Sequence, residues 1–139
     1  MKTHLEPGLF FVGGHRSPSD VAALLGIGNP AAVTGAPDGS QVEFVISEGS
    51  DDHEAVLSDL VAWIGKKTEE LKSVGAEASV LVLKHYIPQN HGYSCVVIPE
   101  TLSRLAADLG FRICVTNVTL FEQQPAAEQI QATRRRCQG

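Results

Sequence analysis

The residues best placed to do chemistry are Gly13-Gly14-His15-Arg16-Ser17, between an apolar run and a helix start. Backbone N–H groups at a strand-to-helix turn can cradle an anion, and Arg16 adds positive charge. Gly14, His15, Arg16 and Ser17 are therefore the candidate binding residues for a small anion or metabolite. The nucleotide fingerprints GxxxxGK[ST] and GxGxxG are absent. A plain turn with Ser17 as N-cap accounts for the same residues. Five histidines follow: His4, His15, His53, His85 and His91. They form no HxH or HxxxH spacing, and a metal site needs three or four ligands. His85 and His91 flank one turn, but the sequence indicates no third ligand, so no metal and no cofactor is expected. Serine catalysis needs a nucleophile beside a histidine and an orienting group, and no GxSxG is present. The carboxylate cluster Glu48, Asp51, Asp52 and Glu54 is explained by the first turn of a helix. No catalytic residue is predicted.

Charge points to binding instead. Arg134, Arg135 and Arg136 take three of the 11 basic residues, leaving 8 against 16 acidic ones in the rest of the chain. That acidity argues against nucleic acid, whose footprint is basic, and suits a basic protein partner. Glu48, Asp51, Asp52 and Glu54 are the candidate partner-binding acids, with Trp63, Tyr86 and His91 as candidate anchors. The three cysteines include no CxxC; Cys95 and Cys114 lie in apolar stretches and read as buried, and Cys137 as a free thiol. No apolar run approaches the roughly 20 residues that span a bilayer, and the N-terminus has no signal-like apolar region. A cytoplasmic protein without membrane contact is expected.

The elements that must position these residues follow from periodicity and punctuation. Gly8–Val12 reads as a strand, with Thr3 as the alternative start. Ser17-Pro18-Ser19-Asp20 opens a helix that Gly26 stops. A Gly- and Pro-rich loop spans Gly28–Gln41, and Val42–Ser47 is the second strand. Ser50 caps the longest helix, whose apolar residues Val56, Leu57, Leu60, Val61, Ile64, Leu71 and Val74 recur at helical spacing up to Gly75. Ser79–Ile87 is the clearest strand. Pro88–Gly92 predicts a hairpin to a return strand over Tyr93–Ile98. A helix from Pro99 to Gly110 and a strand over Phe111–Phe121 complete the order β-α-β-α-β-β-α-β. This is an α+β two-layer sandwich: a mostly antiparallel or mixed five-stranded sheet with helices on one face. Residues 1–122 form one domain, and 123–139 a polar, arginine-containing tail.

Pro18-Ser19-Asp20-Val21-Ala22-Ala23-Leu24-Leu25-Gly26-Ile27 resembles the start of the bacterial domain of unknown function 4279 family. The loop Gly35–Gly39, the strand, acidic turn and long helix of Phe44–Val74, and Ile98–Leu109 continue the resemblance over roughly residues 5–121. The family often has Trp where this chain has Phe44. The resemblance carries no catalytic residues and implies a small bacterial cytosolic protein, of immunity-protein character. Together the readings predict a non-catalytic binding protein that neutralises a cognate toxin by direct contact. A small-ligand regulatory domain is the alternative. The sequence also admits a homodimer through a self-paired edge strand.

Overall fold

The computed structural model describes residues 3–14, 16–34, 41–90 and 94–120. In chain order the elements are β1 (His4–Val12), α1 (Pro18–Leu25), β2 (Ala32–Thr34), β3 (Gln41–Val45), α2 (His53–Lys66), α3 (Thr68–Lys72), β4 (Ala78–Pro88), α4 (Glu100–Leu109) and β5 (Arg112–Leu120). The five strands form one sheet in the order β2-β3-β1-β4-β5. The first three junctions are antiparallel, and β5 joins β4 in parallel. The chain is thus an α+β fold with a mixed five-stranded sheet, as its sequence predicts.

Side chains alternate across a strand, so register fixes the faces. Leu9 lies level with Phe44 on β3 and Leu81 on β4. On that face Leu5, Leu9, Phe11, Phe44, Leu81 and Leu83 join residues of all four helices in one core, among them Leu25, Leu60, Ile64, Leu71 and Leu102. Each such burial contributes about 1.5–3 kcal/mol. Phe11 meets Phe44 and Phe111 edge-on, with ring centroids 6.1 and 6.0 Å apart. The opposite face carries buried Glu6, Lys84, Tyr86 and Leu120. There Lys84 Nζ binds Glu43 Oε1 at 2.5 Å.

Local chemistry sets the helix ends. Ser17 Oγ accepts from the Asp20 N–H at 3.2 Å, as an N-cap should. Gly26 adopts φ +66°, and the Ile27 N–H returns to the Ala22 carbonyl at 3.1 Å. At the long helix, Asp52 and not Ser50 is the N-cap, its carboxylate accepting from the Ala55 N–H at 3.1 Å. Ser50 instead accepts from the Asp52 N–H and forms the preceding turn. The predicted single helix is divided at Lys67 into α2 and α3. Gly65 weakens the helix just before the break, and Thr68 Oγ1 donates to the Ile64 carbonyl at 3.0 Å.

The hairpin is the main departure. Residues 94–99 form no strand. A strand has two edges, and those of β4 are taken by β1 and β5. Residues 94–99 therefore lead into α4, making a β-α-β crossover of the kind that parallel neighbours require. The fifth strand is β2, inside the Gly- and Pro-rich loop. Two burial expectations change with this. Cys95 and Cys114 are exposed, because the first lies outside the sheet and the second on an edge strand. Tyr86, expected on a partner surface, is fully buried beside Leu120. Its ring also meets His4 edge-on at 5.9 Å.

Candidate functional site: an acidic groove beside the long helix

Between α2 and the turn that precedes it lies an open groove of about 500 Å³. Helical spacing builds one wall: Ala55, Asp59 and Trp63 recur every four residues and share a helix face. Val56 and Leu60, whose side chains are buried in the core, support its base. The other wall is Pro7 of β1 and the segment Ile46–Ser50.

That second wall depends on one glycine. The turn is tied to β1 by paired backbone bonds, Leu5 N–H to the Ser50 carbonyl at 2.9 Å and Ser50 N–H to the Leu5 carbonyl at 3.1 Å. Gly49 lies inside this bridge with φ +73°, and a Cβ there would stand 1.8 Å from the Leu5 oxygen. Only glycine permits this approach. His4 Nε2 adds a third tie, donating to the Glu48 carbonyl at 2.7 Å. The Glu48 carboxylate is left to solvent at the groove's mouth.

The electrostatics follow from composition. Glu48, Asp51, Asp52, Glu54 and Asp59 fall between residues 48 and 65, where no lysine or arginine occurs. The groove thus combines two exposed carboxylates, one half-buried indole and an apolar base.

The sequence-predicted residues distribute unevenly around it. Glu48 and Trp63 line the groove. Asp51 and Asp52 are exposed on the adjoining turn. Glu54 lies on the other side of α2, in a second recess with Leu57, Val61 and Val97. Tyr86 is buried away from it, and His91 lies outside the described residues. Of the anion-binding set, Arg16 Nε donates to the Ser73 carbonyl at 3.1 Å and Ser17 is engaged as a cap. Gly14 is exposed, and His15 lies outside the described residues. The Glu77 side chain packs against Gly13, so an anion at this turn would meet a carboxylate. Asp59 was not foreseen, although its i, i+4 relation to Trp63 was visible in the sequence.

A second polar cluster was also missed, because its members are far apart in sequence. His85 is 1% exposed, and its Nδ1 donates to Asn117 Oδ1 at 3.2 Å. An amide oxygen only accepts, so Nδ1 carries a proton; Nε2 shares a 3.1 Å hydrogen bond with Ser94 Oγ, whose hydroxyl can donate or accept. His53 stands edge-on to His85, with centroids 5.2 Å apart, and shares a 3.0 Å hydrogen bond with Thr3. The cluster shares the nucleophile–histidine–orienting group order of nucleophilic catalysis, with an amide where serine triads have a carboxylate. Here the imidazole is sealed in the interior, and each bond ties a separate segment to β4. We therefore assign the cluster to structure: it fastens the 94–99 segment and β5 to β4. Among the described residues no three His, Cys, Asp or Glu side chains are placed to hold a metal ion. No described helix is long and apolar enough to cross a membrane.

No family model, curated protein or solved structure matches the chain. The resemblance to the bacterial domain of unknown function 4279 family therefore stands on the quoted residues alone, and the functional reading rests on the groove.

Proposed function

We propose that this chain is a non-catalytic binding protein that captures a basic protein partner in the groove between α2 and the Ile46–Ser50 turn, as an immunity-type protein captures its toxin. One observation carries the reading: Glu48, Asp59 and Trp63 line one groove over an apolar base. An arginine or lysine entering there would have its stem on apolar surface, its charge between carboxylates and an aromatic face beside it. The surrounding acids would steer a basic partner to this face and speed encounter at low salt.

Calorimetric titration with a short arginine-rich peptide tests this, comparing the wild type with a Glu48→Gln/Asp59→Asn double variant. Saturable binding that weakens in the double variant and with added salt supports capture. Equal binding by both proteins overturns it. Co-expression with the product of an adjacent gene then asks whether a toxin is the partner. A basic toxin held in a complex that the double variant disrupts supports the immunity reading.

A further inference from the structure

The two edges of the sheet are built differently. β2 offers three residues, short enough to be a poor template for another strand. β5 offers nine, paired with β4 without interruption from Val80–Arg112 to Pro88–Leu120. It has no bulge in that ladder, no proline, and no charged residue after Arg112. Cys114, Val115, Thr116 and Asn117 are exposed, Val115 by 40%. Short edges, lysines, prolines and bulges are what normally keep edge strands apart, and β5 has none of them.

We propose that β5 is an interaction edge whose partner is β5 of a second copy, paired antiparallel about a twofold axis at Thr116. The strand's own pattern selects this occupant. Centring the axis on the strand's middle residue sets Thr116 against Thr116, Val115 against Asn117 and Cys114 against Val118. Thr116, Val115 and Val118 are β-branched and suit cross-strand contact, and Cys114 and Asn117 are short enough to stand opposite them. Arg112 falls opposite Leu120, so the strand's charge never meets its copy. A parallel pairing in register would set Arg112 against Arg112. An axis normal to the sheet keeps both helical layers on one side and joins two sheets of five strands into one of ten. Among the described residues the edges that remain are the three-residue β2 strands, poor templates for further growth. The groove takes no residue from β5 and stays open, so this inference does not rest on the proposed function.

Light scattering coupled to size exclusion tests it, with circular dichroism to confirm that each variant is folded. The wild type is expected at twice the 14.8 kDa chain mass. Thr116→Lys and Thr116→Glu each place like charges face to face on the axis and are expected to halve that mass. Mixing the two variants restores the dimer. Val33→Lys on β2 leaves the mass unchanged. A wild type that runs as a monomer at its highest soluble concentration overturns the proposal. So does a Thr116→Lys variant that remains dimeric, or a dimer that Val33→Lys dissociates.

Discussion

Substituting Gly49 by alanine adds one methyl group and should cost a large share of the protein's stability. The new Cβ would stand 1.8 Å from the Leu5 oxygen, 2.8 Å from its carbonyl carbon and 2.9 Å from Glu6 Cα. All three are backbone atoms of β1, so no rotamer change relieves the clash. The turn must move away and break the paired Leu5–Ser50 bonds. Two hydrogen bonds are worth about 0.5–1.5 kcal/mol each. Holding alanine at φ +73° costs about 1–2 kcal/mol more if the turn keeps its shape. The expected loss is about 2–5 kcal/mol, against a total of about 5–15 for a typical domain. Urea unfolding followed by far-UV circular dichroism measures it. Gly28→Ala is the control: nothing lies within 4 Å of its added Cβ, and its stability should stay within about 0.5 kcal/mol of wild type. The displaced turn should also carry Glu48 out of the groove and weaken peptide binding. A Gly49→Ala protein as stable as the Gly28→Ala control would refute the assignment of this turn as a glycine-dependent anchor.

Other substitutions probe the rest of the structure. Gly65→Ala, in an open position inside α2, should stabilise by about 0.5–1 kcal/mol, read as a higher urea midpoint. Lys84→Met leaves Glu43 without its cation on a largely buried face and should destabilise by about 3 kcal/mol in the same assay; adding Glu43→Leu should recover part of that loss. Ser94→Ala removes the hydroxyl partner of a buried imidazole nitrogen and should cost about 1–3 kcal/mol. The wild-type protein should not be labelled at Ser94 by a fluorophosphonate probe, and covalent labelling there would show that the histidine cluster does chemistry.

Local signals in the sequence carried most of the fold. Ser17, Pro18 and Gly26 mark both ends of α1 because capping is decided within a few residues. The apolar periodicity of Val56–Ile64 likewise identifies the buried face of α2. Non-local competition was not legible. Pro88–Gly92 has hairpin chemistry, yet whether Tyr93–Ile98 can pair depends on whether β5, some twenty residues later, occupies that edge of β4. The exposure of Cys114 and the burial of Tyr86 depend on the same strand order. The groove was half legible. The acids around residue 50 and Trp63 stand out by type, but Gly49's approach to β1 brings together residues more than forty positions apart.

Trp63 is the protein's single tryptophan and lines the groove, so its fluorescence reports on the site directly. Titration with an arginine-rich peptide at low salt should shift or quench its emission along a saturable curve. The curve should move to higher peptide concentration with added salt and flatten in the Glu48→Gln/Asp59→Asn variant. Emission that does not change while the peptide binds elsewhere, or a curve identical in the variant, would contradict capture of a basic partner by this groove.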